Sequence, residues 1–580
     1  MSRSYFEEEL RYLHEAGKAF ARAHPDQARL LNADSIADRD PYVERLFEGF
    51  AFLTGRVRQQ LDDEFPQYTE GLFQLLYPHF LRPVPACAIA EFTPHPGLVQ
   101  KTTTLERGTE VRSAPVGEER ATCRFTTTQA VRLQPLRLTA AELIWGVGGG
   151  TGCRLAFELE SGVAYESLDL EPLRLTFNAD ASTASTAHLF FCRHVRRVTL
   201  RGGGSEVEWI GQGAVTPGGL AADEGLVPYG AHALAGFRLL LEYFAFRPKF
   251  WAVDLHGLGT LRPEAGATTF EVQVEFDRPY PEARAFTAGN VRLFCTPVVN
   301  LFRQDAEPIR TEHERAELLV VPNARQPASH RVYSVEAVTG TDVKTGHRRV
   351  YRPYFSFRRP APGEGTFHAL SRTGVGGRPE TVLSIQPPEA DAARVAAETL
   401  SLDVLCTNGA LPRDQLQEGA IDQAAPGVPA LAACRNLTQP TAEVDPPSRH
   451  DPEYLWKLLS HLALNHVSVA DRDALRAVLG LYEWTESDAN RRRLSGVLDV
   501  SWAPREVVLR GAVVRGTLVT VQVEAARFAD EGDLCLFGLV LSAALSAYAT
   551  INSFVHLDLS SFPSGTVYSW TPKHGDRPAL

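Results

Sequence analysis

The sequence predicts a multidomain α+β chain. It has a helical N-terminal region, a β-rich middle of sandwich or barrel-like domains, and an α+β C-terminal domain. Three observations carry this. Val43, Leu46, Phe47, Phe50, Leu53, Val57 and Leu61 fall three or four apart, the spacing of one helical face. From Cys87 onward short runs of Val, Thr and aromatic residues alternate with polar ones between Gly and Pro punctuation. Helical spacing returns after a Pro-rich stretch that holds Pro440, Pro446 and Pro447. A chain of 580 residues accommodates about three to four domains. We divide it at 1–85 (helical), 86–233 and 234–438 (β-rich), 439–452 (linker) and 453–580 (α+β).

Ser4-Tyr5-Phe6-Glu7 has the capping-box pattern, and Phe6, Leu10, Leu13, Ala16 and Phe20 follow at helical spacing. A first helix is expected from Tyr5 to Ala23, stopped by Pro25. Asp40 suits an N-cap, Pro41 a first helical position and Glu44 the first turn of a second helix. Pro66 is expected to end that helix, and a short one should follow from Thr69 to Tyr77. Pro78-His79-Phe80-Leu81-Arg82-Pro83-Val84-Pro85 reads as an extended, non-helical strap. The seven apolar side chains of the second helix stand to gain about 1.5–3 kcal/mol each from burial. A two-helix unit cannot hide that surface alone, so the rest of the chain or another subunit must cover it.

In the middle, 154–159, 173–177, 270–276 and 291–294 read as strands. Leu234–Tyr243 reads as a helix between two β domains. Beyond the linker, Leu455, Leu458, Leu459, Leu462 and Val467 mark one helix, and Leu475, Val478, Leu479 and Tyr482 another. Strands follow near Val507-Val508-Leu509 and Leu518-Val519-Thr520-Val521. A long helix starts near Asp533. Leu534–Leu557 carries no Asp, Glu, Lys or Arg and is long enough to span a bilayer. Ser542, Ser546, Thr550, Asn552, Ser553 and His556 interrupt it and acidic residues precede it, so a buried core helix followed by a strand is expected.

The composition, 44% hydrophobic and 22% charged, is that of a globular protein. A formal net charge of -11 argues against general nucleic-acid binding. The acidic start, with Glu7-Glu8-Glu9, has no apolar run and is not a secretory signal. Eight scattered cysteines without a CxxC pair read as reduced cytoplasmic thiols.

Chemistry-bearing motifs are sparse. Gly146–Gly152 fits neither GxGxxG nor a P-loop, and it and Arg201-Gly202-Gly203-Gly204 read as hairpin turns. His188, Cys192 and His194 would share one side of a strand. That suits a metal site or one inward sheet face equally, and we take the inward face. The stretch His347-Arg348-Arg349, Tyr351-Arg352, Tyr354-Phe355 and Phe357-Arg358-Arg359 mixes cations with rings, as single-stranded nucleic-acid binders do. In an acidic chain it reads better as salt-bridged or solvated strand faces, or as a surface for an acidic protein. Arg491-Arg492-Arg493 reads as a solvated face. Neither HExxH nor GxSxG occurs. No catalytic, cofactor-binding or metal residues are therefore assigned, and no enzyme activity is expected.

Several stretches carry a resemblance. Asp40-Pro41-Tyr42-Val43-Glu44-Arg45-Leu46, Glu48-Gly49-Phe50-Ala51-Phe52-Leu53, Leu61–Pro66 and Leu75–Pro83 together resemble the N-terminal signature of the TssF (VasA/ImpG) family. That family supplies baseplate wedge subunits of the bacterial type VI secretion system. The likeness continues at Tyr243–Phe250, Cys295–Phe302, Ala306–Ile309, Val332–Val335, Thr407-Asn408-Gly409, Leu458–Leu462 and Tyr548–Phe554. His466 and Ala543-Ala544 depart from it, where a tyrosine and bulkier residues are expected.

The resemblance implies a structural protein in a cytoplasmic baseplate that reaches the membrane through other subunits. It implies pairing with a second copy and with TssG, contacts to TssK and TssE, and a place around the VgrG spike. Nucleic-acid binding and direct membrane insertion are not implied. The rival readings are a carbohydrate- or spike-binding β module, or a hydrolase on β-rich domains. With partners at hand, the helical region reads as an assembly surface, with Phe52, Phe50, Leu53, Val57 and Leu61 as interface residues. Phe52 should face the sector furthest from the intramolecular core, and Phe47 should belong to that core.

Overall fold

A computed structural model of the chain describes residues 10–14, 16, 41–145, 150–210, 212–230, 235–264, 266–311, 317–374, 378–388, 397–425, 431–449, 451, 453–463, 471–509, 512–549 and 553–574. The expected first helix is helical at 10–14 and 16, and its capping box lies outside the described residues. The second helix runs without a break from Pro41 to Leu76. Pro66 therefore does not end it, and the separate helix at Thr69–Tyr77 is its last stretch. An internal proline costs about 3 kcal/mol locally. Backbone bonding on both sides and the burial of Thr69, Gly71 and Phe73 at the base favour continuing. The strap also differs from expectation. Pro78–Leu81 is a 3-10 turn, because a proline at the first position presets the helical φ, and the chain turns extended only at Arg82.

A six-stranded sheet is the hub. Its order is Ile421–Ala424, Glu110–Val116, Ala121–Thr127, Cys295–Val299, Cys87–Pro94 and Ala432–Asn436. Strands from both sides of residue 233 thus pair in one sheet, with Ile89 opposite Pro297 and Phe92 opposite Cys434. Antiparallel pairing across such sequence distances leaves no local trace. The proline-rich stretch after Gln439 is tied down as well. Val84 and Val444 form a bridge, Thr441 Oγ1 accepts from the Cys87 N–H at 2.9 Å, and Arg331 pairs with Glu443 and Asp445.

A five-stranded sheet (205–210, 195–202, 269–276, 151–159, 136–145) and a four-stranded one (215–217, 252–255, 173–177, 291–292) cover the next layer. Both glycine-rich stretches fall at hairpins. Trp145 pairs with Thr151 across the first, of which residues 146–149 lie outside the described set. Gly202 pairs with Ser205 across the second, where Gly203 and Gly204 adopt positive φ.

Phe302–Asp305, Glu398–Thr407, Arg331–Asp342, Arg348–Pro353, Gly365–Thr373, Pro379–Gln386 and Leu318–Val320 form a larger sheet with its own core around Val338, Phe367, Leu383 and Leu402. Its ends meet where the Glu307 N–H donates to Val321 O at 2.8 Å and Gln304 Nε2 to Pro322 O at 2.8 Å, which makes the layer barrel-like. The chain enters past Asn300 and leaves at Asn408. These two buried amides clasp each other, Asn300 Nδ2 to Asn408 Oδ1 at 2.8 Å and Asn408 N–H to Asn300 Oδ1 at 2.6 Å.

The C-terminal region carries helices at Tyr454–Ala463, Arg472–Gly480 and Asp488–Ser495, a hairpin of Val497–Leu509 with Ala512–Glu524, and the helix Glu531–Leu545. Residues Gly532 to Leu545 are all buried, so this apolar helix spends its length inside the protein, and the strand Ser553–Phe562 follows. It packs on the helix Ala235–Ala245 so closely that a Cβ on Gly236 would lie 2.6 Å from Ala543 O and 2.8 Å from Ala544 Cα. The small residues at 543 and 544 are what permit this approach. The chain is thus a multidomain α+β protein rich in strand, with the helix Ala235–Ala245 at its centre, where Phe237, Leu240 and Tyr243 are buried.

Candidate assembly surface

The helix Pro41–Leu76 is anchored at one end. At its base Phe73 is fully buried and its ring lies 6.1 Å from Phe80, which in turn packs 5.8 Å from Tyr482. The His79 ring lies tilted 4.2 Å from Phe80 and edge-on 5.0 Å from Tyr229. Burial, with Arg82 nearby, lowers the His79 pKa to about 3 and keeps the ring neutral. Gly71 sits beneath the Phe355 ring, where a Cβ would come within 2.5 Å of it. Arg82 lies over the Tyr333 ring at 5.3 Å. A helix rises about 1.5 Å per residue, so Leu46 stands about 40 Å along the axis from Phe73.

At that far end the apolar side chains sort into sectors. Phe47, Ala51 and Thr54, spaced four and three, face inward: Ala51 is fully buried and Phe47 is half-buried, its ring 6.1 Å from His14. Leu46, Phe50 and Leu53, one step round the helix, are 68%, 56% and 60% exposed. Phe52, on another side, is 48% exposed. The single seven-residue core face is therefore two faces, since one neighbouring segment covers one sector only. Phe50, Phe52 and Leu53 of the expected interface are all exposed, Phe52 on a different side of the helix from the other two. Val57 and Leu61 lie in the helix, but their side chains are outside the described residues.

Other sequence candidates resolve differently. His188 and Cys192 lie on a helix, Ala181–Arg193, not a strand, and His194 is its C-cap. Asp180 caps its start by accepting from the Ser182 and Thr183 N–H groups. Cys192 Sγ is 3.4 Å from His188 Nε2, while His194 turns away to Asp277 Oδ1 at 2.8 Å. The three do not converge, and burial pushes His188 down to about 4. Among the described residues no group of three His, Cys, Asp or Glu side chains could hold a metal ion. All eight cysteines are free thiols.

Arg491 and Arg492 are exposed as expected, but Arg493 is buried. Its Nε donates to Asp533 at 2.8 Å, and Arg247 reaches the same carboxylate at 3.1 Å. In the basic–aromatic stretch Arg349 pairs with Glu398, and Arg352 with Glu364 at 2.9 Å. The sequence reading also passed over a buried Lys249–Glu242 ion pair, whose carboxylate accepts from the Leu226 N–H at 2.9 Å. Burial lowers the Lys249 pKa against the raising effect of Glu242. An exposed hairpin tip was missed too: Val508 and Val513, directly paired, are 68% and 63% exposed. The only signal for it was two valine runs flanking Arg510-Gly511.

The arrangement offers a helix presented for packing rather than converging reactive groups. The model of the type VI secretion system TssF family matches residues 2–577. The chain belongs to the TssF family. This TssF-family chain is similar to type VI secretion system component TssF1 of Pseudomonas aeruginosa, 27% identical with 99% of each chain covered. It also resembles a chain of the TssK-TssF-TssG baseplate subcomplex solved by cryo-electron microscopy. That match has 34% identity and a TM-score of 0.77, and covers 92% of this chain and 99% of that one. A chain of the baseplate complex from the type VI secretion system matches at 31% identity and a TM-score of 0.65, with 99% and 100% covered. The sequence resemblance thus holds over the full length of this TssF-family protein.

Proposed function

We infer that the chain is a structural wedge component of a cytoplasmic type VI secretion baseplate. The observation that carries this is the likeness, over 92% and 99% of the chain, to chains solved in a TssK-TssF-TssG baseplate subcomplex and in a type VI baseplate complex. In this reading it pairs with a second copy and with TssG, and contacts TssK and TssE. Six such wedges surround the VgrG spike at the start of the sheath. Its work is mechanical. Neither enzymatic chemistry nor direct membrane insertion enters this reading, and other subunits dock the baseplate to the membrane.

The Leu46–Phe50–Leu53 face, together with Phe52, is the assembly surface, and Val57 and Leu61 continue it. Apolar patches of this kind mark subunit contacts, and a helix anchored at one end presents them at a distance from the body. Co-expression with the cognate TssG and TssK, followed by mass measurement of the purified complex, tests the proposal. A complex containing two copies of this chain per TssG is expected. Purification of this chain alone, under conditions where TssG is soluble, would refute it.

A further inference from the structure

The loop between the strands Arg348–Pro353 and Gly365–Thr373 has a composition and setting that the wedge reading does not use. Residues 354–363 carry Arg358 and Arg359 and no acidic residue. Both arginines are exposed, and among the described residues neither forms an ion pair. The nearest acid, Glu364, is engaged: it pairs with Arg352 at 2.9 Å and accepts from the Ala361 N–H at 2.8 Å, and Arg358 acts on it from further off. Tyr354 and Phe357 in the same loop are 58% and 68% exposed.

The loop is held in place. The Tyr354 N–H donates to Phe367 O at 2.8 Å, and Phe355 wedges between Gly71 of the long helix and His368, ring to ring at 5.2 Å. The aromatic and cationic side chains are therefore displayed from a fixed frame beside the base of the helix. Behind Phe355 a cleft of about 460 Å³ opens between the helix base and the barrel-like sheet, lined by Phe367 and Ala369 together with Glu70, Gln74 and Arg82. It is large enough to admit an apolar side chain.

We propose that this loop and cleft form a second docking surface, taking an acidic protein segment that carries an aromatic or aliphatic anchor. Arg358 and Arg359, exposed and without an ion pair among the described residues, make a locally cationic patch in a chain of net charge -11. Such a patch attracts carboxylates and selects against basic partners. Arginine and aromatic side chains are the groups that dominate interface cores. A polyphosphate chain suits the place less well. Two arginines supply few contacts for counterion release, and an apolar anchor pocket offers a run of phosphates nothing to bury.

The probe is a short, dye-labelled amphipathic peptide with Glu and Leu at helical spacing, titrated into the isolated full-length chain by anisotropy. Its Lys-for-Glu counterpart, an oligo-dT strand and phosphatidylglycerol vesicles are titrated in parallel. The acidic peptide alone should bind, more weakly as salt rises. The double change Arg358→Glu and Arg359→Glu, and separately Phe357→Ser, should each weaken binding about tenfold with an unchanged melting temperature. Equal binding of the basic peptide, preference for the oligonucleotide or vesicles, no binding at all, or unaltered affinity in both variants would overturn the proposal. TssG co-purification of the same variants is read separately. Its loss in the unaltered chain would count against the wedge reading and not against this surface.

Discussion

Replacing Phe50 by aspartate separates the assembly role of the long helix from its role in folding. The Phe50 side chain is 56% exposed in the isolated chain, while Phe73 on the same helix is fully buried. Little packing is lost at position 50, so folding stability should change by no more than about 0.5 kcal/mol. In the proposed assembly surface the same ring would give up its exposure. Burying a phenylalanine contributes about 1.5–3 kcal/mol, and placing an aspartate in that contact adds the cost of an unpaired charge. Together these predict an affinity loss of at least about a hundredfold for the partner, or 2.7 kcal/mol. Phe73→Asp carries the same chemistry into the core and should unfold the chain or cost more than about 4 kcal/mol. The assay pairs urea denaturation of the isolated variants with quantified TssG pull-down. Normal assembly of Phe50→Asp, or a urea midpoint lowered as far as that of Phe73→Asp, would refute the division of the helix into an inward and an outward face.

Phe52→Asp should likewise leave melting unchanged and weaken pull-down, whereas Phe47→Asp, half-buried against His14, should lower melting by an intermediate amount. Gly236→Leu forces the helices Ala235–Ala245 and Glu531–Leu545 apart, because the obstruction is backbone; a loss of about 2–3 kcal/mol in the unfolding free energy from urea denaturation is expected. Arg493→Met leaves Asp533 with Arg247 alone and should cost about 3 kcal/mol, partly recovered when Asp533→Leu is added in a double-mutant cycle. Acid should destabilise the fold through buried histidines. His79, His188 and His461 are held near 3, 4 and 4, below their ordinary 6.5, so the unfolded chain takes up protons the folded one refuses. Their contribution is complete above pH 6.5 and is lost as pH falls toward 4, by about 1–2 kcal/mol each at pH 5. Denaturation midpoints measured from pH 7.5 to 5 should fall for the parent and fall less for His188→Gln.

The sequence by itself determined what rests on local periodicity and composition. The change from a 3.6 to a 2.0 period at Cys87, the helix at Ala235–Ala245 and the burial of Glu531–Leu545 all follow from side-chain spacing along one segment. The family was legible too, because its motifs are contiguous stretches. Tertiary structure decided everything that depends on which segments meet. It carried one helix through Pro66, because a buried base outweighs a local break. It placed Arg493 inward, because its carboxylate partner Asp533 stands forty residues away in the chain. It put His188, Cys192 and His194 on a helix and its cap rather than on a strand. It joined strands from both β-rich stretches into one sheet and tied the proline-rich segment to Val84. It also split the apolar arc at Phe47, since one covering segment shields one sector of a helix and leaves the next exposed. Pairing across hundreds of residues is governed by burial and hydrogen-bond completion, which no single window of sequence records.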